Sequence, residues 1–414
     1  MNSRERFIET IINGNKNVSP LKWEFGYWGE TMNNWYREGL PKKRYVPIPD
    51  TYTSIGSSLY TYAWTSENKF LAEEEYPHGY ILSGGFTYIP TVGLAQEYDV
   101  TDFLGMDACQ GKVDFNLFYE PMFEPRTIAE TDEMLEYIDV DGARRIYLKE
   151  TATIPTTFEC VIKDRKSWEQ VKEERLSMLN IKKRFPKNWE NVFADYRNRD
   201  YPLSVGGNPM GYFGALAQLI GYEKLFYMYY DDPALIHDML DTFTNIWIAV
   251  FEEALQYIDI ECVHLWDDVS YGQGSMISLD IMNEFMKPYC KKLTSFFKGK
   301  GVDTIFVDTD GDCWNIIPFY MECGVTGIYP MEVNCNMDVV RARKEFPELI
   351  ICGGINKSEL CLGKERIDQI LDYITPAIKS GRYIPFCDHF VPPEVHFEEF
   401  RYYRERLNEL IDSI

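Results

Sequence analysis

Base is scarce in this sequence. Its 414 residues carry 42 lysines and arginines against 65 aspartates and glutamates, a net charge of −23. Phosphate backbones and anionic membrane surfaces are gripped by basic faces, so no nucleic acid and no membrane is expected as a partner. No apolar run approaches the length that spans a bilayer. The amino terminus, Met-Asn-Ser-Arg-Glu-Arg-Phe, is charged at once and lacks the apolar core of a signal peptide. None of the 10 cysteines forms a C-x-x-C pair. Cys262 and Cys352 sit inside apolar runs, the usage of a small hydrophobe in a reducing compartment, and a cytoplasmic protein is expected.

Several chemical signatures are missing as well. There is no P-loop and no G-x-S-x-G nucleophile elbow. Gly206-Gly207-Asn208-Pro209-Met210-Gly211 lacks the spacing of a dinucleotide fingerprint and contains a proline. Only five histidines exist, at positions 78, 237, 264, 389 and 396. Aromatics, by contrast, are plentiful at 15% of the chain, enough to fill a large core and to line a site for something flat and apolar.

From about residue 200 the chain alternates apolar strand-like runs with helical stretches. Strands are expected at Leu203–Val205, Cys262–Trp266, Thr304–Val307, Gly327–Tyr329, Leu349–Cys352 and Tyr383–Phe386, with helices between them. Asp232-Pro233 caps and opens a long helix to about Tyr257, and Ser278 caps another to about Phe297. Ahead of this, a short helix begins at Ser3, Leu21–Trp28 reads as a strand, and Trp168 to Phe185 turns helical. Residues of about 60–170 are irregular and β-rich, with a hairpin at Met134–Val140 and Ala143–Leu148. Strands regularly spaced by helices make a parallel sheet, and this many units favour a closed (β/α)8 TIM-type barrel. The expected organisation is one α/β barrel domain over 1–414 with an N-terminal β-rich insertion at about 60–170.

In such a barrel the carboxyl ends of the strands converge on one rim. Those ends carry Asn208; Asp267 and Asp268; Asp308, Asp310 and Asp312; Glu332; Asn356 and Lys357; and Asp388 and His389. One acidic strand exit is turn chemistry, whereas six facing exits describe a site. Crowded carboxylates raise one another's pKa, so that one stays protonated as a general acid; alternatively a divalent cation neutralises them, with His389 as the histidine best placed to help. Gly272–Met276 reads as a lid segment beside them.

The run Asp310-Gly311, Pro318, Cys323-Gly324-Val325, Pro330-Met331-Glu332, Gly353-Gly354-Ile355-Asn356-Lys357, Tyr383-Ile384-Pro385, Asp388-His389 and Pro392-Pro393 resembles the uroporphyrinogen decarboxylase superfamily, and more closely its branch of corrinoid-dependent methyltransferases. The resemblance covers roughly residues 200–412 and implies the same barrel fold. Porphyrinogen decarboxylases hold their substrate with an arginine-rich N-terminal loop. The matching stretch, Trp23–Glu30, has no arginine and is acidic and aromatic, a mismatch in charge for a polyanion. Relatives in the methyltransferase branch bind zinc through a His-x-Cys pair and a later Cys. Those positions fall here at Asp308 and Asp310 and near His389, a harder, oxygen-rich set suited to polarising an ether or phenol oxygen.

The resemblance therefore implies a methyltransferase that moves a methyl group from a small methoxylated aromatic substrate to the cobalt of a corrinoid carried on a separate protein. Asp308, Asp310, His389 and Glu332 would be its catalytic groups, and Asp308, Asp310 and His389 its metal ligands, with zinc as the metal. Trp23, Phe25, Trp28, Asn208, Asp267, Asp268 and Lys357 would hold the substrate. Two alternatives stand beside it: a decarboxylase of a small carboxylated substrate, and a barrel that binds a tetrapyrrole or corrinoid without catalysis.

Overall fold

The computed structural model describes residues 1–43, 81–82, 87–88, 98–149 and 155–414. Eight strands form one parallel sheet, and we number them in chain order: β1 (Thr87–Tyr88), β2 (Gln110–Lys112), β3 (Leu203–Gly206), β4 (Cys262–Trp266), β5 (Ile305–Asp308), β6 (Gly327–Met331), β7 (Ile350–Gly353) and β8 (Tyr383–Ile384). Neighbours in sequence are neighbours in the sheet, and every pairing is parallel. Three of the helices between β3 and β8 begin at side-chain caps, two of them, at Asp232 and Ser278, read from the sequence. The Asp232 carboxylate accepts from the Leu235 N–H, Ser278 caps Leu279–Ile281, and Asp338 caps Val339–Glu345.

Successive residues along a strand face opposite ways, and here they sort into two apolar groups. Val263, Leu265, Ile305, Val307, Ile328 and Ile351 pack with the helices. Cys262, Phe306, Tyr329, Ile350, Cys352 and Ile384 face the other way, into a second core shared with Phe7, Ile11, Leu21, Trp23 and Phe25. The sheet therefore curls around an interior filled by side chains, and the N-terminal helix packs against the end where the strands begin. Arg4 pairs there with Glu261, one residue before β4, and Arg6 with Asp107.

The α/β class and the parallel sheet match expectation. A closed ring of strand pairing does not appear among the described residues, where β1 and β8 lie at opposite edges. The stretch 21–28 stands between the two sides. Its Gly26 carbonyl accepts from the Val391 N–H beyond β8, and its Lys22 carbonyl accepts from the Asp107 N–H ahead of β2. Glu24 fixes this stretch. Its Oε1 accepts from the Cys387 N–H at 2.7 Å, and its Oε2 takes the Tyr403 hydroxyl at 3.1 Å and the Arg404 guanidinium at 3.4 Å.

Part of the 60–170 region lies outside the described residues. Within it, Arg126–Glu130, Met134–Ile138, Arg144–Leu148 and Thr156–Glu159 form a four-stranded antiparallel sheet that contains the hairpin read from Asp141-Gly142. The helix read over Trp168–Phe185 instead spans Arg165–Arg175, followed by a turn and a short 3-10 segment at Ile181–Arg184. The helix ends at Leu176; Asn180 takes a left-handed conformation where the 3-10 segment begins, and Arg184 turns inward to donate to the carbonyls of Asn116 and Phe118.

Removing one partner of a buried, hydrogen-bonded ion pair leaves the other uncompensated. Glu24→Leu is therefore expected to lower stability by about 3 kcal/mol in urea unfolding; a loss under about 0.5 kcal/mol would show that Glu24 is not the clamp described.

Candidate active site

Two strands aim charge into the curl. Asp308 lies two residues beyond Phe306 and shares its inward face. Lys112 lies two residues beyond Gln110, whose Oε1 meets Cys262 Sγ at 3.0 Å and His264 Nε2 at 3.2 Å inside the sheet. His264 Nδ1 is 2.7 Å from the Tyr329 hydroxyl, and its ring stacks on Phe306. His264 is thus an interior packing group, and burial holds its pKa down to about 3.

Past β5 the chain turns across the mouth. The Asp310 N–H donates to Asp268 Oδ1 at 3.2 Å, and Asp310 Oδ2 lies 3.7 Å from His389 Nε2. The Gly311 N–H donates to Glu332 Oε2 at 2.8 Å. Gly311 has φ +82°, and a Cβ there would come within 2.6 Å of the Tyr271 carbonyl oxygen, so this close passage admits only glycine. Glu332 Oε1 stands 3.6 Å from Lys357 Nζ, which is 3.4 Å from Asp388 Oδ1. Asp388 is held by the backbone N–H groups of Val333 and Lys357. The exits of β4, β5, β6, β7 and β8 thus meet in one polar group.

The electrostatics of this group follow from crowding. Burial, with Asp310 and Asp268 adding repulsion and Lys112 opposing, pushes Asp308 well above the carboxylate range. Burial and then Asp310 raise Asp268 to about 7; burial, then Glu332, raises Asp310 to about 7, against the pull of Lys357. Protons in such a set belong to the group. Asp310 keeps 38% of its side chain exposed, so it is the acid a ligand reaches. Burial and the Lys357 ammonium lower His389 to about 4, which leaves its ring neutral at pH 7. Burial likewise brings Lys112 down to about 8.

Of the residues singled out from the sequence, Asp308, Asp310, Asp268, Glu332, Lys357 and His389 come together. The Phe25 ring lies 4.8 Å from the His389 ring, and Trp28 and Phe390 extend that aromatic wall. Asn208 lies just past β3, its Oδ1 buried without a hydrogen-bond partner. Two others are placed elsewhere. Trp23 is fully buried in the interior core, its indole N–H on the Ala108 carbonyl. Asp267 turns away to accept the N–H groups of Tyr212, Phe213 and Gly214 at the start of the helix Phe213–Ile220. Lys112 was not visible in the sequence reading, because β2 is only three residues long and carries no apolar alternation.

Three ligands for a metal must converge on one point. Among the described residues no group of three His, Cys, Asp or Glu side chains does so. Asp308, Asp310 and His389 as placed do not fit a zinc site.

The chain belongs to the uroporphyrinogen decarboxylase (URO-D) family, whose model matches residues 167–410. This is a family of enzymes. A uroporphyrinogen decarboxylase of Chlorobium phaeobacteroides (strain DSM 266 / SMG 266 / 2430) is 28% identical over 129 residues, 31% of this chain and 34% of that protein, so the match spans about a third of the relative's length. Two solved structures share distant likeness. One, described as a vitamin-B12-independent methionine synthase of Listeria monocytogenes, has 12% identity and a TM-score of 0.31 over 54% of this chain and 69% of that one. The other, a hyperthermophilic β-glucosidase mutant, has 10% identity and a TM-score of 0.24 over 71% and 77%. At such scores neither bears on the chemistry. No helix among the described residues is long and apolar enough to cross a membrane.

An acid with a raised pKa in the folded chain binds more protons there than when unfolded, so stability falls as pH rises from about 4 to about 7. His389 works in the opposite sense between about 4 and about 6.5, as one group against at least two. The double variant Asp268→Asn, Asp310→Asn should therefore melt above the wild type at about pH 8, and its advantage should shrink by about pH 5. A pH-independent difference in melting temperature would contradict the shared-proton description.

Proposed function

We propose that this chain is a methyltransferase that takes a methyl group from a small methoxylated aromatic substrate and passes it to the cobalt of a corrinoid carried by a separate protein. The observation that carries this reading is the group of Asp268, Asp308 and Asp310 at the carboxyl end of the sheet, still partly protonated near neutral pH. Ether oxygen is a poor leaving group as alkoxide or phenolate. As the methyl–oxygen bond breaks, its electron pair stays on the oxygen, and a proton from the Asp310 carboxyl would neutralise it as an alcohol or phenol. The acid then regains its proton from water.

The chain's other residues suit the same task. Glu332, fixed by the Gly311 N–H, and Lys357 set the charge around Asp310. His389, neutral and beside Asp310, can accept or relay a proton. The wall of Phe25, Trp28 and Phe390 offers a flat apolar face for an aromatic ring. A reduced corrinoid, when docked, would supply the nucleophile for the methyl group.

The second reading, decarboxylation of a small carboxylated substrate, is favoured by one observation: Lys112 and Lys357 both stand at the mouth and could hold a carboxylate.

The test is formation of methylcobalamin from cob(I)alamin and a panel of methoxybenzoates. Asp310→Asn is expected to slow transfer by roughly 100-fold or more. The wild-type rate should fall as pH rises above about 7, where the acid group empties. Undiminished transfer by Asp310→Asn would overturn the role given to this acid. Release of CO2 from the same panel without methyl transfer would favour the second reading.

A further inference from the structure

Lys112 stands apart from the other cation of the mouth. Lys357 is engaged: its ammonium lies 3.4 Å from Asp388 and 3.6 Å from Glu332. The Lys112 ammonium has no hydrogen bond and no ion pair with any described residue, although Asp114 and Asp308 are near enough to act on it electrostatically. It runs up the inside of the sheet to the exit of β3, where Gly207 leaves room for it. Gly207 has φ +72°, and a Cβ there would stand 2.8 Å from Lys112 Nζ. The next residue, Asn208, holds its own amide oxygen out of solvent and without a hydrogen-bond partner. Lys112 and Asn208 thus stand at the exits of adjoining strands with polar atoms that meet no partner among the described residues, whereas Lys357 is answered by Asp388 and Glu332. A half-buried ammonium without a partner is costly, and a partner that arrives with the ligand accounts for it.

We infer that Lys112 anchors a subsite for an anionic oxygen at the exit of β3, so that the aromatic ligand of this mouth carries a carboxylate or a phenolate. The inference rests on reading the mouth as the seat of an aromatic substrate, and not on which reaction follows. The two lysines act on different ends of the row of acids: Lys112 on Asp308, and Lys357 on Asp310 and Asp388. An anion at Lys112 would thus leave Asp310, Glu332 and His389 free for the far side of the ring. The Asn208 amide can donate to the same anion or accept from a hydroxyl beside it. Selectivity follows from Lys112: a neutral ring would leave its ammonium unanswered.

Calorimetric titration of the purified chain with benzoate, 4-nitrophenolate and toluene tests this without any methyl transfer. The wild type should bind at least one of the two anions roughly 10-fold or more tightly than toluene, as expected for one charge-assisted hydrogen bond. Whichever anion is preferred identifies the carboxylate or the phenolate. Lys112→Met should abolish the preference, Lys112→Arg should keep most of it, and circular dichroism should show both variants folded. Equal binding of anion and toluene by the wild type, or a preference that survives Lys112→Met, would overturn the subsite. Anion selectivity that depends on Lys112, without demethylation of any methoxybenzoate, would leave the subsite standing and sink the methyltransferase reading instead.

Discussion

One buried carboxylate holds the mouth in register. Glu24 joins the stretch 21–28 to the backbone immediately before Asp388 and His389 and to the last helix through Tyr403 and Arg404. Burial raises its pKa, and Arg404 works against that rise. Such a pair contributes little net stability against an apolar equivalent. Its role is geometric, since it fixes where the strand exit after β8 lies relative to the aromatic wall. Phe25, the next residue, is thereby set against the His389 ring, and His389 against Asp310.

The sheet supplies the remaining constraint. Because alternate residues of each parallel strand face inward, two charged residues two positions beyond interior packing residues must enter the curl, and they do so at Asp308 and Lys112. The interior below them is closed by rings and by the Gln110–Cys262–His264–Tyr329 contacts. A charged side chain cannot sink into that packing, so it extends toward the open end. The fold thus concentrates titratable groups where the strands finish, and the turn after β5 brings Asp310 and Gly311 across to Asp268 and Glu332.

Most of this was legible from residue order. Apolar runs of strand length ending in polar or charged residues located β4 to β8 and the exits that meet, and Asp232 and Ser278 marked helix starts through the chemistry of their side chains. What was not legible depends on direction. Asp267 and Asp268 are adjacent, yet only one can face the mouth; the other caps a helix. Trp23 and Phe25 share a face of one stretch, and depth alone separates a floor residue from a wall residue. Lys112 escaped notice because a three-residue strand has no period to read, and its neighbour across space, Gly207, is 95 positions away in the chain. The separate 3-10 segment after Asn180 depended on a left-handed backbone that asparagine tolerates but does not announce.

The charge at the mouth fixes the state in which it meets a ligand. Among the described residues, Asp268, Asp308, Asp310, Glu332 and Asp388 face Lys112 and Lys357 as their cations, and His389 is neutral at pH 7. Five full negative charges this close would repel one another strongly in a site shielded from water. The inexpensive relief is to keep protons, and the raised acids Asp268, Asp308 and Asp310 do so. A site in that condition is ready to give a proton and poorly disposed to abstract one. Chemistry that leaves electrons on an oxygen or a carbon, and then needs a proton there, is what such a mouth favours. Both methyl transfer from an ether and loss of CO2 are of that kind, and the unpartnered Lys112 offers either one a place to anchor an anion at a distance from the acid that acts.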